Sequence, residues 1–97
     1  MYEISSNIDW DGQGFFALKQ GTHTLGQIKV KLTNGDLTLL DTTVSVKRNL
    51  HSIGVRLIHE IVDYARVHEL KIITISKFVQ KQFSSNPELY ADVWEKA

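Results

Sequence analysis

Lys47-Arg48-Asn49-Leu50-His51-Ser52-Ile53-Gly54-Val55 stands between two unlike patterns, and its reading decides the fold. To its left, Thr42-Thr43-Val44-Ser45-Val46 is rich in β-branched residues and reads as a strand. To its right, Leu57, Ile58, Ile61, Val62 and Ala65 form one apolar stripe at helical spacing. A strand, a short polar loop and a helix start make a ready anion site. The first backbone N–H groups of a helix lack internal partners, and the macrodipole places about half a positive charge there. Lys47, Arg48 and Arg56 add positive charge around that point. An ordinary β–α turn looks the same in isolation, so the decision passes to the flanking chain.

Downstream, the helical pattern runs from about Ser52 to Glu69 and exposes His59, Glu60, Asp63 and Arg66. Lys71-Ile72-Ile73-Thr74-Ile75 follows at once, too apolar for a one-sided strand. It reads as a strand covered on both faces, of the kind that pairs in parallel after a helical crossover. Leu37–Ser76 is therefore expected to be a β–α–β unit with a right-handed crossover. Beyond it, Phe78, Val79 and Phe83 lie on a short helix, whose start Ser76 is placed to cap with its hydroxyl. Ser85-Asn86-Pro87-Glu88 caps a last helix carrying Leu89, Tyr90, Val93 and Trp94.

Upstream, the strand Leu37–Val46 holds an irregularity. Leu37 and Leu39 share one parity, while Leu40, Thr42, Val44 and Val46 share the other. A period of two puts both sets on one face only if a residue is inserted between them, as in a β-bulge. A strand covered on both faces gives the same pattern. Asn34-Gly35 before it is a strong hairpin signal, because a type I′ turn needs positive φ at both central residues. Gln27 to Leu32 alternates strictly, with Ile28, Val30 and Leu32 inward and Lys29 and Lys31 in water. Gly21-Thr22-His23 is a turn, and Phe15–Gln20 is the first clear strand. Residues 1–14 read as short structure broken by turns, with Ile8 and Trp10 on one face of a brief strand.

Composition narrows the function classes. A chain of 97 residues makes one domain with a core of its own, and 42% apolar content is ordinary for a globular protein. Eleven basic and 11 acidic residues cancel, so no global field recruits nucleic acid or an anionic membrane, and phosphate binding has to be local. The absence of cysteine removes disulfides, thiolate metal sites and a thiol nucleophile. Met1-Tyr2-Glu3-Ile4-Ser5 lacks a signal-peptide pattern, and no apolar run approaches a membrane span. A soluble, cytoplasmic protein is expected.

Other chemistry is thin. His59-Glu60-Ile61-Val62-Asp63 resembles the helical zinc motif with aspartate in place of the second histidine, but it lies opposite the apolar stripe and reads as a solvated face. His23 and His68 read as turn and surface residues, and no metal is expected. No Gly-x-Ser-x-Gly elbow, Walker loop or Gly-x-Gly-x-x-Gly is present. Phe15 and Phe16 read as core and sheet face rather than a base-stacking platform.

The order of hairpin, bent strand, phosphate-type loop, helix and parallel strand resembles the acetyl-CoA-dependent GNAT N-acyltransferases. More narrowly it is similar to their short stand-alone, YjdJ-like members. The similarity runs from about Phe15 to Trp94 and rests on Leu39-Leu40-Asp41-Thr42-Thr43-Val44, on Tyr64-Ala65-Arg66 with Leu70-Lys71-Ile72-Ile73, and on Phe78-Val79 with Asn86-Pro87. The resemblance implies an α/β (α+β) fold in a single domain over residues 1–97. Antiparallel strands lead into a β–α–β unit with a parallel final strand, and short C-terminal helices follow. It implies acetyl-CoA as co-substrate, a small amine or peptide amine as acceptor, and direct attack of the amine on the thioester. A non-catalytic acyl-CoA-binding or protein-interaction module is the alternative within the same fold.

The resemblance also assigns residues. Pantetheine is expected against the backbone of Thr43, Val44 and Val46. The pyrophosphate is expected at the loop and helix start formed by Asn49, Leu50, His51, Ser52, Ile53, Gly54 and Val55. The family's loop runs Arg/Gln-x-x-Gly-x-Gly/Ala, and of its glycines Gly54 alone remains, with Ser52 in the place of the other. Serine can cap the helix or donate to a phosphate, but its side chain also occupies space. Ser76 falls where short members commonly carry cysteine, and a serine hydroxyl needs an adjacent base to act as nucleophile. Ser76, Asp41, Thr43 and Tyr90 are the catalytic candidates. Acceptor identity and oligomeric state stay open at this level.

Overall fold

The computed structural model describes residues 2–44 and 50–95. Its strands are β1 (Tyr2–Ile8), β2 (Gln13–Gln20), β3 (His23–Thr33), β4 (Asp36–Val44) and β5 (Lys71–Thr74). They form one sheet in sequence order, antiparallel except for the parallel pair β4 and β5. The helices are α1 (Leu50–Val67), α2 (Lys77–Ser85) and the single turn α3 (Pro87–Tyr90). Phe16, Leu18, Ile28, Val30, Leu37, Leu39 and Ile72 point inward and pack with Ile53, Leu57, Ile58, Ile61, Val62, Ala65, Val79 and Phe83. The alternate residues Phe15, Gln27, Lys29, Lys31, Thr38 and Ile73 are exposed or half-buried. The fold is thus two layers, helices on one face and an open sheet face on the other.

The β-bulge is present. Lys29 pairs with Asp41 and Val30 with Leu39, which leaves Leu40 as the extra residue on β4. Leu37 and Leu39 are fully buried, and beyond the bulge Thr42 and Val44 are half-buried on the same side. Asn34 and Gly35 both have positive φ, 42° and 88°, as the type I′ turn demands. The stripe Leu57, Ile58, Ile61, Val62 and Ala65 is buried, while His59, Glu60, Asp63 and Arg66 are exposed.

Five expectations are corrected. The amino-terminal arm is a full strand, paired with β2 from Tyr2↔Gln20 to Ile8↔Gly14. Ile4 and Ile8 pack against the core, and an edge strand tolerates Ser5-Ser6-Asn7 because one neighbour satisfies the backbone and its outer face is wet. Trp10 is not on that strand; it is 99% exposed in the following turn. Helix α1 begins at Leu50, so Ser52 lies within its first turn and does not cap it. Strand β5 is not covered on both faces: Ile72 is buried, but Ile73 is half-buried and Ile75 is 55% exposed, since no described helix covers that side. The final helix stops at Tyr90, and Trp94 instead makes a parallel bridge to Ile72. There the free edge of β5 finds partners, with Ile72 N donating to Val93 O at 2.6 Å and Glu95 N to Ile72 O at 2.9 Å.

Candidate functional site

The two parallel strands part immediately after Leu39. Strand β5 pairs with β4 only from Asp36↔Lys71 to Leu39↔Thr74. The Leu39 carbonyl then accepts from both Ile75 N and Ser76 N, each at 3.0 Å, and that double bond ends the ladder. Beyond it β4 continues along β3 alone, through Asp41↔Lys29 to Val44↔Gly26. Strand backbone groups alternate in direction, so every second N–H and C=O of Leu40–Val44 faces a gap instead of a strand. The bulge causes the parting: it bends β4 away while β5 ends and the chain turns into α2.

Helix starts close the inner side of this gap. Ile53 is buried over Gly26, where a Cβ would come within 2.8 Å of its Cγ2 and 3.3 Å of the Thr43 carbonyl. Gly54 is buried beneath the Phe78 ring, and any Cβ at Gly54 would run into that ring. His51 meets the same ring edge-on at 6.4 Å between centroids. The motif glycine therefore has a structural task, the close approach of α2 to α1, that its place in the sequence pattern did not reveal.

Ser76 is the one buried polar residue among those described, 7% exposed. It sits at the N-cap position of α2, yet its hydroxyl makes no cap bond. The expected capping role is thus corrected: the side chain turns across the gap to Thr42, with the two hydroxyl oxygens 2.9 Å apart. Its carbonyl still starts the helix, accepting from Gln80 N at 2.9 Å. Nothing in the sequence marks Thr42 as a site residue. Its partner is 34 residues away, and only the bulge brings Thr42 to the inner face.

The other candidates scatter around the gap. Asp41 and Thr43 are exposed, directly opposite Lys29 and Gln27, and so lie on the open sheet face. Tyr90 is 2% exposed and stacks on Phe83 at 4.1 Å, its hydroxyl accepting from Gln82 Nε2 at 3.2 Å. Phe83 is two turns along α2 from Ser76, about 10 Å at the helical rise, so Tyr90 belongs to the far end of that helix. His51 and Ser52 are exposed in the first turn of α1 and Val55 is half-buried. Val46 and Asn49, like Lys47 and Arg48, lie outside the described residues. No acidic side chain stands in the first turn of α1 to oppose an anion.

His59 and Asp63 are solvent-exposed, and Arg66 approaches Asp63 at 3.9 Å. No group of three or more metal-ligating side chains gathers among the described residues. No described helix is long and apolar enough to cross a membrane. Arg66 does more work on the chain's end. Its Nε donates to Asp92 Oδ2 at 2.9 Å and its Nη2 to the Leu89 carbonyl at 2.8 Å, while Lys71 Nζ donates to the Asp92 carbonyl at 2.8 Å. The hydrogen bond from Arg66 holds the Asp92 carboxyl below its ordinary pKa, and the same bond raises that of Arg66.

A family model described as GCN5-related N-acetyl-transferase matches residues 14–93. No curated protein matches the chain. Among solved structures, the solution structure of a GCN5-like protein from Staphylococcus aureus superposes with a TM-score of 0.70. That match covers 98% of this chain and 89% of the other at 22% identity, a likeness of fold.

Proposed function

The chain belongs to the GCN5-related N-acetyltransferase family, and from that premise we propose that it is a cytoplasmic, single-domain enzyme that binds acetyl-CoA between β4 and β5. In this proposal it transfers the acetyl group to a small amine or peptide amine. The observation that carries the reading is the parting of the two strands at Leu39, which leaves backbone groups of Leu40–Val44 facing a gap. Those groups match the amides of a pantetheine arm. The free N–H groups in the first turn of α1, from Leu50 to Ile53, match a pyrophosphate. Gly54 and Val55 follow that turn, and Thr43 and Val44 line the arm; Val46 and Asn49 lie outside the described residues.

Chemistry at the gap asks little of side chains. The neutral amine nitrogen attacks the thioester carbonyl carbon, whose oxygen is polarised by a backbone N–H. The C–S bond breaks, and the amine's proton passes to the departing thiolate. Asp41 stands at the outer lip, where it can receive the proton that an ammonium must first lose. Ser76 has its hydroxyl committed to Thr42, so transfer proceeds without an acyl-enzyme.

Millimolar CoA should raise the melting temperature by mass action. Amide shifts on titration should cluster at Thr42–Val44 and Asn49–Val55. Absence of both effects sinks the proposal. Acetylation of Ser76 at high occupancy, found by intact mass and peptide mapping after acid quench, would replace direct attack with a two-step route. A second reading, a non-catalytic acyl-CoA-binding module, draws on the distance of Tyr90 from the gap. CoA binding without acetyl transfer or hydrolysis would favour it.

A further inference from the structure

The inner side of the gap is filled by Ile53, by Phe78 on Gly54 and by the Thr42–Ser76 pair. Once acetyl-CoA lies in the gap, an amine can reach the thioester only from the open sheet face. On that face the strand registers lay one row across four strands, Asn7 beside Phe15, Phe15 beside Lys29, and Lys29 beside Asp41. The row ends at the bulge, where Leu40 emerges 41% exposed, one residue past the end of the parallel ladder. A hollow of about 210 Å³ opens along it, lined by Asn7, Gln13, Phe15, Gln27, Lys29 and Leu40 among others. Its floor is apolar at Phe15 and Leu40, and its far end, at Asn7, Asp9 and Gln13, is polar.

Lys29 and Asp41 carry opposite charges on directly facing residues, yet no ion pair joins them among the described residues. Facing residues of adjacent strands lie about 5 Å apart at the backbone, so one small zwitterion can reach both side chains at once. We propose that this hollow, together with Asp41, which faces Lys29 from just outside its lining, is the acceptor site and that the acceptor is a free α-amino acid. The inference rests on the acetyl-CoA reading above. Lys29 holds the α-carboxylate, and Asp41 holds the α-ammonium at the lip of the gap. The side chain lies over Phe15 toward Asn7 and Gln13. The ammonium passes one proton to the Asp41 carboxylate, and the neutral nitrogen forms the C–N bond as the C–S bond breaks. The CoA thiolate takes the second proton. A lone amine satisfies only Asp41 and leaves Lys29 unanswered, so the site discriminates by carboxylate.

The test titrates the protein, with and without CoA, against L-methionine, L-methioninamide and 3-(methylthio)propylamine, following amide shifts. Acetyl transfer to the same three is measured in parallel. Methionine should bind and react about tenfold better than either analogue, the size expected of one charged contact. Its shifts should centre on Phe15, Lys29 and Asp41. Lys29→Gln, an exposed position, should erase the preference while leaving the melting shift with CoA unchanged. Equal binding of the three probes, a preference untouched by Lys29→Gln, shifts elsewhere or no binding of methionine each overturn the assignment. A normal CoA response alongside any of these leaves the cofactor reading standing. Loss of the CoA response itself, with methionine still seated on the row, would refute the cofactor reading and, with it, the acceptor role of the row.

Discussion

The two halves of β4 differ more from each other than most pairs of strands do. Asp36–Leu39 is hydrogen-bonded to strands on both sides and buries Leu37 and Leu39 completely. Leu40–Val44 has a strand on one side, and Leu40, Asp41 and Thr43 are exposed. One inserted residue separates them. The difference teaches that a single bulge can divide a strand into a part that holds the sheet together and a part left open to bind.

The largest effect should come from the boundary itself. Leu39→Ala should cost about 2–5 kcal/mol in a urea melt, through lost burial and the cavity left behind. Leu40→Ala, one residue on, should change stability by about 0.5 kcal/mol or less. Similar losses at both positions would break the comparison. The next effect concerns the contact that spans the gap. Thr42→Val should cost about 1–3 kcal/mol, because it leaves the buried Ser76 hydroxyl without its partner. Thr43→Val, on the open face, should stay within about 0.5 kcal/mol. Adding Ser76→Ala to Thr42→Val should recover part of the loss, and strict additivity of the two would deny the contact.

A smaller effect sharpens the view of the open half as a binding edge. Ser52→Gly should tighten CoA about twofold to threefold by uncrowding the first turn of α1. It should cost the helix about 0.5 kcal/mol, read by isothermal titration and thermal melt together. An unchanged affinity would show that Ser52 does not meet the cofactor. The smallest effect lies on the paired side, where Arg66 and Asp92 tie the chain end beside β5. The Asp92 carboxyl is held below its ordinary value, so its contribution is full above the unfolded pKa near 3.8 and is lost as pH falls through the lower folded one. Both side chains are largely exposed, which limits it to about 0.5 kcal/mol. The stability gap between wild type and Arg66→Gln should close as pH drops below about 4. A gap that persists at lower pH would mean that Arg66 acts through packing instead.

Local regularities account for what was legible in the chain alone. Asn34-Gly35 announced its turn because positive φ is a property of those two residues themselves. The stripe from Leu57 to Ala65 announced α1 because helical spacing recurs within a few residues. The parity change at Leu40 announced the bulge for the same reason, since a face is defined by near neighbours. Signals from side chains with no stated partner misled. Trp10 looked like a strand residue and is a turn; Ser76 looked like a cap and bonds across the gap.

By itself, then, the sequence determined the elements from β2 to α2, their order, the parity change at Leu40 and the family pattern, all set by residues within about one turn or one strand of each other. Tertiary structure alone decided the rest. It decided that the polar arm Tyr2–Ile8 is a strand, because β2 supplied the ladder. It left Ile75 in water, because no described helix reached that face. It sent Trp94 along β5, because an edge needs hydrogen bonds. It brought Thr42 to Ser76, Phe78 to Gly54, and Lys29 to face Asp41 at the lip of the gap. The physical reason is common to all of these: each is a contact between residues far apart in the chain, and its energy exists only after the layers have closed.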